Sequence, residues 1–161
     1  MLDVATFRQA MGLFPGAVTL ITTGEGDLRR GITATAVCSV TDSPPSLLVC
    51  VNRKTGTCSE IQRSGWFSVQ LLGADQADLA LCFAGATGAT GIGKFATPDW
   101  TTCPAGQPRL KAALASLSCR VTSASENGSH MVFIGAIEDA ALRDGEALIY
   151  AQSSFRRLEP V

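Results

Sequence analysis

The chain has 161 residues, a formal net charge of −1 at pH 7 and 17% charged residues. This length suits a single domain over residues 1–161, and the near-neutral charge argues against nucleic acid or an anionic membrane as the main partner. Soluble domains usually carry about 25% charged residues, so part of the surface is expected to pack against a second copy, unless the core is unusually large. No apolar run reaches the roughly 18 residues of a membrane helix, and the start lacks a basic signal segment, so a cytoplasmic protein is expected.

The first part of the chain predicts one helix followed by three strands. Apolar residues at helical spacing favour a helix from about Val4 to Phe14, which Pro15-Gly16 ends. Runs rich in β-branched residues then predict strands over residues 17–23, 31–40 and 46–52. A Pro-Pro turn joins the last two strands, because neither strand could absorb it.

A capping box, Thr57-Cys-Ser-Glu60, predicts a helix from Thr57 to about Ser64-Gly65. The remaining pattern predicts a strand, a helix, a long loop and three further strands, over residues 66–72, 75–84, 85–106, 114–125, 130–140 and 147–152. About seven strands with two or three short helices favour an antiparallel barrel with helices at its margins. A doubly wound parallel sheet is not expected, since the strands do not alternate with long helices.

Cysteines are frequent, and the chain has six of them. Several lie inside predicted strands or helices, there is no C-x-x-C pair, and His130 is the one histidine, so a zinc site has poor support. Buried, reduced thiols that pack as small apolar groups are therefore the favoured interpretation.

The strand predicted over residues 31–40 carries an unusual run of small side chains, namely Thr33, Ala34, Thr35, Ala36 and Ser39. Small side chains let a flat ligand approach the backbone, and hydroxyl groups can bind phosphate or ring-carbonyl oxygens. On this segment alone, an ordinary hairpin with threonine and alanine on a mixed face is the alternative.

Gly88-Ala-Thr-Gly-Ile-Gly93-Lys94 matches the first part of the P-loop pattern, but Phe95 replaces the hydroxyl residue that should bind magnesium. The stretch follows a predicted helix, whereas a P-loop joins a strand to a helix. ATP or GTP hydrolysis is therefore not expected. A flexible loop near the site, with Lys94 free to meet an anion, is favoured instead.

The chain is poor in candidate acids, bases and nucleophiles, because its carboxylates are scattered and it lacks a Gly-x-Ser-x-Gly elbow. Chemistry supplied by a cofactor is therefore favoured, and hydride transfer to a flavin fits, since the protein need only orient two rings and stabilise charge. A phosphate could bind where the helix predicted from Thr57 begins, beside Arg53, Lys54 and Thr55. Equally, Thr57 could only cap the helix while the two bases are solvated.

Motifs along nearly the whole chain together resemble the flavin reductase family, the small NAD(P)H:flavin oxidoreductase components of two-component monooxygenases, which have an FMN-binding split β-barrel fold. The motifs occur in family order: Phe14-Pro-Gly-Ala-Val18, Gly31-Ile-Thr-Ala34 through Ser39-Val40, Pro44-Pro45, Val51-Asn52 with Thr57, Gly65-Trp-Phe67, Leu79-Ala-Leu-Cys-Phe83, Lys94-Phe95, Gly128-Ser-His130, Ile134-Gly135 and Leu148-Ile-Tyr150. Each is weak alone, and the set is specific. The resemblance implies an enzyme that transfers hydride from NADH or NADPH to FMN or FAD and supplies reduced flavin to a separate flavin-dependent monooxygenase. The alternatives are a flavin-containing reductase of another acceptor such as a corrin, and FMN binding without turnover.

The resemblance also implies site residues. The flavin would lie against Thr33, Ala34, Thr35, Ser39 and Val40, with Cys50, Val51 and Asn52 on the opposite strand. Phosphate would contact Ser39, Thr55 and Thr57, the rim would be closed by Phe83 and Ala84, and Lys94 would lie near phosphate or adenylate. His130 would hold the nicotinamide. The family's Gly-Asp-His is Gly128-Ser129-His130 here, which leaves the orientation of the histidine open. Members are usually homodimers that share the flavin site.

Overall fold

The computed structural model describes residues 1–97 and 99–161, which form three α-helices and twelve β-strands. The helices are α1 (Val4–Gly12), α2 (Gly56–Ser64) and α3 (Ala77–Phe83). The strands are β1 (Gly16–Ala17), β2 (Thr19–Thr23), β3 (Arg30–Ala34), β4 (Val37–Asp42), β5 (Pro45–Asn52), β6 (Trp66–Leu71), β7 (Trp100–Thr102), β8 (Pro108–Leu110), β9 (Ala115–Asn127), β10 (His130–Leu142), β11 (Ile149–Ala151) and β12 (Ser154–Arg156). Short 3-10 helices span Gly26–Leu28 and Gly91–Phe95. None of the helices in this part of the chain is long and apolar enough to cross a membrane.

Seven strands form one antiparallel sheet in the order β3-β2-β6-β9-β10-β5-β4. Strands β3 and β4 are consecutive in the chain but lie at opposite edges of this sheet, and only Thr35 and Ala36 connect them. Three residue steps separate Ala34 from Val37, so these residues lie at most about 11 Å apart. The sheet must therefore curl until its two edges meet, which is the split-barrel arrangement expected from the sequence. The N–H of Cys50 donates to the carbonyl of Ala36 at 3.2 Å and ties the connection to β5.

The strand predicted over residues 31–40 is therefore two strands. The chain leaves one sheet edge after Ala34 and joins the other at Val37, whose N–H donates to the carbonyl of Thr35 at 2.9 Å. Strands β4 and β5 do form the predicted hairpin, in which Asp42 pairs with Pro45. Single-strand patterning could not predict the break, because both halves are equally rich in β-branched and small residues.

The core has two parts that share strand β2. Side chains from β2, β5, β6, β9 and β10 meet on the concave face of the sheet, where Ile21, Phe67 and Phe133 pack with Ile61 of α2. Successive side chains of a strand point to opposite faces, so Leu20 packs on the convex face with Phe83 of α3 and with Phe95, Leu110 and Leu148. Helix α3 and the Gly91–Phe95 helix therefore lie against the outside of β2 and β3.

Helix α2 begins at Gly56, and its N-cap lies two residues earlier than predicted. Its N-cap is Thr55, whose Oγ1 accepts a hydrogen bond from the N–H of Cys58 at 3.1 Å. The predicted cap, Thr57, lies inside the helix and is buried. The Glu60 carboxylate of the presumed capping box binds Arg63 instead. The predicted end is confirmed, because Gly65 closes the helix in the left-handed conformation with φ of 73°.

Two further regions differ from the sequence-based prediction. The loop predicted over residues 85–106 contains the Gly91–Phe95 helix and strand β7, which pairs with β8; residue 98 lies outside the described residues. Strand β12 was not predicted, because three residues are too few for a periodic pattern. Phe95 and Trp100 stabilise the first region by packing on Phe83, at ring-centroid distances of 5.0 and 5.5 Å.

Candidate functional site

A cavity of about 520 Å³ opens where the two sheet edges meet. It is lined by Ile32, Thr33, Ala34, Thr35, Ala36, Cys50, Asn52, Thr55, Phe83, Ala84, Lys94 and His130. Ten of the fourteen residues predicted from the sequence thus surround one cavity. Its volume lies within the roughly 300–1,000 Å³ that small-molecule sites usually occupy.

The other four predicted residues lie elsewhere. Val51 is fully buried in the concave core, because alternate side chains of β5 face opposite sides and Cys50 and Asn52 take the cavity side. Thr57 is buried within α2. Ser39 and Val40 lie on the exposed part of β4, next to an irregularity in its pairing with β5, and do not line the cavity.

One wall of the cavity is the free edge of strand β3, which pairs only with β2. Every second residue of such an edge strand directs both its N–H and its C=O away from the sheet. Gly31 is one of these residues, because its carbonyl accepts a hydrogen bond from Lys94 Nζ at 3.1 Å. By the same alternation, the N–H and C=O of Thr33, two residues further along, point in the same direction beside the cavity. Backbone N–H and C=O groups are therefore available to a ligand ring that carries amide-like donors and acceptors.

Two of the three threonine hydroxyls at the cavity, those of Thr33 and Thr55, already have protein partners. Thr33 Oγ1 donates to the carbonyl of Ala80 at 2.6 Å. Thr55 Oγ1 donates to the carbonyl of Asn52 at 2.8 Å while it caps α2. An anion at the start of α2 would therefore meet the first backbone N–H groups of the helix rather than these hydroxyls.

Lys94 closes one side of the cavity, and the prediction of a free lysine is wrong. Its Nζ donates to the carbonyls of Gly31 and Phe83, at 3.1 and 2.9 Å, and lies 5.9 Å from the centre of the Phe83 ring. Burial lowers the pKa of this ammonium group. Two of its three hydrogens are thus used to fasten the Gly91–Phe95 helix onto β3 and α3.

Gly31 permits a close contact that shapes the same wall. A Cβ at this position would lie 2.6 Å from Cε1 of Phe83 and 2.8 Å from its Cδ1. Phe83 is almost fully buried and stands edge-on to Phe95. Only glycine lets β3 approach the aromatic ring at this distance, and a glycine inside a strand is the sequence signal for such an approach.

Two arginines occupy positions that the sequence did not indicate. The side chain of Arg30 lies 3.4 Å from where a Cβ of Gly56 would stand, so it packs beside the first residue of α2. The guanidinium group of Arg53 donates to the carbonyl of Gly128 at 3.1 Å and lies beside Glu126. Arg30 is thus a second base at the start of α2, and the guanidinium group of Arg53 is partly engaged by its contacts with Gly128 and Glu126. The only sequence signal for Arg30 is its position directly before Gly31.

His130 lies at the first position of β10, opposite Asn52 at the end of β5. Its Nδ1 is 2.8 Å from Oγ of Ser129, so the residue that replaces the family's aspartate contacts the imidazole. The orientation that the sequence left open is therefore defined by a serine. The side chain is exposed at the mouth of the cavity, where a ligand can reach it.

All six cysteines are free thiols, as predicted, but only Cys58, Cys103 and Cys119 are buried as well, and Cys38 is exposed. Burial raises the pKa of Cys50 and Cys58, and raises that of Cys119 to about 12. Such thiols carry little thiolate at neutral pH, so they pack as apolar groups and are poor nucleophiles.

Comparisons with known proteins agree with this geometry. A family model described as "Flavin reductase like domain" matches residues 11–159. The 4-hydroxyphenylacetate 3-monooxygenase reductase component of Salmonella typhimurium is 41% identical over 156 residues, which cover 96% of this chain and 90% of that protein. FMN reductase (NADH) RutF of Methylorubrum extorquens is 40% identical over 157 residues, which cover 97% of this chain and 76% of that protein.

Solved structures agree as well. BorF, the flavin reductase component of a bacterial two-component tryptophan halogenase, superposes with a TM-score of 0.89 at 32% identity and covers 99% of this chain and 100% of its own. The Streptomyces globisporus NADH:FAD oxidoreductase SgcE6, solved with NAD and FAD fragments, gives a TM-score of 0.89 at 31% identity. The match covers 98% of this chain and 94% of that chain. The fold and these matches define an oxidoreductase of the flavin reductase class. The chain belongs to the flavin reductase-like domain family, which confirms the predicted family, fold and enzyme class.

Proposed function

We propose that the chain is a flavin reductase that transfers hydride from NADH or NADPH to FMN or FAD. In this proposal, reduced flavin then passes to a separate flavin-dependent monooxygenase, and residues 1–161 act as one domain in the cytoplasm. Support for the monooxygenase comes from the name of the relative that is 41% identical over 96% of this chain.

The observation that carries the proposal is the cavity wall formed by small residues and an edge-strand backbone. Thr33, Ala34, Thr35 and Ala36 present no bulky side chain, so a flat ring system can lie against the peptide groups. The backbone N–H and C=O of Thr33 offer a donor and an acceptor, which suit the alternating carbonyl and N–H groups of a flavin pyrimidine ring. The residues present therefore fit a flavin.

A flavin bound there supplies the hydride acceptor, so the protein needs no acid–base pair. The chain's own residues have three tasks. The β3 backbone holds the ring, the start of α2 with Arg30 holds the phosphate, and Phe83 with Lys94 limits access of water on one side. The phosphate is held through backbone N–H groups, because the Thr55 hydroxyl is already engaged.

His130 would position the nicotinamide by hydrogen bonding or stacking, since it lies at the mouth of the cavity. His130→Ala is expected to raise the KM for NADH and to lower kcat/KM by roughly ten- to a hundredfold, which is the scale of one lost positioning contact. Flavin affinity should barely change, because the imidazole lies across the cavity from β3. Unchanged NADH kinetics, or loss of flavin binding instead, would contradict this role.

The decisive experiment asks whether the purified protein oxidises NADH only when free flavin is added. Oxidation that depends on added FMN or FAD supports the flavin reductase. A requirement for a corrin would support a reductase of another acceptor, and binding of FMN with no NADH oxidation would support a binding protein. Repeating the assay with NADPH, and with FMN and FAD separately, identifies the preferred substrates.

We also propose that the chain is a homodimer, and helix α1 is the main reason. None of its residues is buried, and Val4, Phe7 and Met11 are 62%, 54% and 49% exposed along one face. A nine-residue helix is marginal in water without tertiary packing, so this face needs a permanent cover. A second copy is favoured as the cover, because the chain carries only 17% charged residues.

An apolar hollow on the same chain suits this contact. It has a volume of about 270 Å³ and is lined partly by Leu81, Tyr150 and Phe155. It lies near the end of α1, where the N–H of Gln152 donates to the carbonyl of Gly12 at 2.8 Å. It also shares Thr33, Ala34, Thr35 and Ala84 with the flavin cavity, so a partner helix placed there would support the cavity wall.

Light scattering should give twice the chain mass of 16.8 kDa. Phe7→Glu should shift the protein toward monomer, because it places a charge on the apolar face of α1. Gln9→Glu, on the polar side of the same helix, is the matched control and should leave the mass unchanged. A wild-type monomer at micromolar concentration, or equal effects of the two variants, would contradict the α1 interface.

A further inference from the structure

The contact between Ser129 and His130 determines which nitrogen of the imidazole faces the cavity. Ser129 Oγ lies 2.8 Å from Nδ1, so this nitrogen is engaged within the protein. No hydrogen bond to Nε2 is formed by any residue in the described ranges. Nε2 is therefore the atom left for a ligand, and its role depends on the tautomer of the ring.

The turn that carries this pair is firmly held. The backbone N–H of Arg53 donates to the carbonyl of Ser129 at 3.0 Å. The guanidinium group of the same residue donates to the carbonyl of Gly128 at 3.1 Å and lies 2.5 Å from Glu126 Oε1. Three contacts thus fasten the turn to the segment between β5 and α2, and the Ser129–His130 geometry is set before a ligand arrives.

We propose that Ser129 donates its hydroxyl hydrogen to Nδ1 and thereby holds His130 in the tautomer that carries its hydrogen on Nε2. An imidazole nitrogen with a free lone pair is a stronger acceptor than an alcohol oxygen, so O–H···N is favoured over N–H···O. Nε2 then presents an N–H donor to the cavity. This N–H donates to the carboxamide oxygen of the nicotinamide, a contact that rests on the proposed function.

The serine matters because an aspartate at this position would have the opposite effect. An ionised carboxylate only accepts hydrogen bonds, so it would place the hydrogen on Nδ1 and leave a neutral ring with an acceptor at Nε2. Ser129→Asp should therefore reverse the polarity of the group that meets the carboxamide. Ser129 is a positioning residue in this scheme, because it acts only through His130.

Nitrogen NMR can test the tautomer directly, since the single histidine gives one imidazole signal set. In a neutral imidazole the protonated and the unprotonated ring nitrogen have well-separated shifts, so the spectra are recorded where the signals no longer change with rising pH. Wild type and Ser129→Thr should show mainly the Nε2–H form. Ser129→Ala should change the tautomer ratio by roughly two- to tenfold, the size of one neutral hydrogen bond, and Ser129→Asp should give mainly the Nδ1–H form.

Ser123→Ala is the matched control, because Ser123 is an exposed serine of β9 that does not line the cavity, and it should leave the ratio unchanged. A wild-type protein that is mainly in the Nδ1–H form would overturn the proposal. So would a ratio that Ser129→Ala does not change.

NADH kinetics test the contact with the ligand. Ser129→Asp should raise the KM for NADH by roughly three- to tenfold, with a smaller change in kcat, whereas Ser129→Thr should behave as wild type. Equal KM values for these two variants would overturn the carboxamide contact. The NMR result does not depend on turnover, so failure to oxidise NADH would contradict the proposed function while the tautomer measurement still decides the role of Ser129.

Discussion

Replacing Gly31 with alanine would test the packing that shapes the cavity wall. The new Cβ would lie 2.6 and 2.8 Å from two ring carbons of Phe83, far inside the favourable carbon–carbon separation of about 3.5–4.0 Å. The ring has little room to retreat, since it is 1% exposed and stands 5.0 Å from the Phe95 ring. Overpacking of this kind costs about 1–3 kcal/mol. With an m-value of about 1.5–2 kcal/mol per molar, the urea midpoint should fall by roughly 0.5–2 M.

The same substitution should weaken FMN binding, because Phe83 lines the cavity and Gly31 carries the carbonyl that anchors Lys94. Gly93→Ala is the matched control. It lies next to Lys94, its Cβ would meet no atom within 4 Å, and its φ is not in the left-handed region. Its effect should stay within about 0.5 kcal/mol. If both variants unfold at the same urea concentration, the contact between Gly31 and Phe83 does not limit packing, and the reasoning is refuted.

Two further predictions concern α2 and a buried thiol. Thr55→Ala removes the N-cap of α2 and should lower the free energy of unfolding by about 1 kcal/mol. In titrations, the affinity for FMN should fall more than the affinity for riboflavin, because only FMN carries the phosphate proposed to bind at the start of α2. Equal losses of affinity would show that Thr55 caps the helix without supporting the phosphate site. Burial raises the pKa of Cys119 from 9.0 to about 12, so between these pH values the unfolded thiol loses its proton and the folded one keeps it. The stability that this group contributes is fully present below about pH 9 and is lost as pH rises, by up to about 1.4 kcal/mol per pH unit. Urea unfolding between pH 8 and 10.5 should therefore show a shallower decline for Cys119→Ala, and parallel declines would contradict the buried neutral thiol.

Much of the fold follows from local patterns. Runs of β-branched residues predicted the long strands, and left-handed Gly65 ends α2 where the sequence placed its end. The resemblance to a family then predicted most of the residues that line the cavity. These signals are local or motif-based, so one sequence is enough to carry them.

The remaining features depend on contacts between distant residues. Lys94 lies in a glycine- and threonine-rich segment that looks flexible, but its ammonium group is held by a carbonyl 63 residues earlier in the chain. The capping role of Thr55 instead of Thr57 depends on the hydrogen bond that Thr55 makes to Asn52 at the end of β5. Both threonines have the same cap chemistry, so the sequence could not choose between them. The burial of Val51 follows from the strand's register, which is set by its partner β10.

Because Thr35 and Ala36 connect the two edges of the sheet, the width of the cavity opening depends on the curvature of the whole sheet. The same two residues close the loop between the sheet edges and line the cavity, so a change in the sheet's curvature is transmitted to them. That curvature is set partly by the irregular pairing of β9 and β10 at Ile134/Gly135 and at Ile137/Asp139. A substitution at these irregular positions, none of which lines the cavity, can therefore widen or narrow the opening and alter ligand preference while every lining residue stays the same.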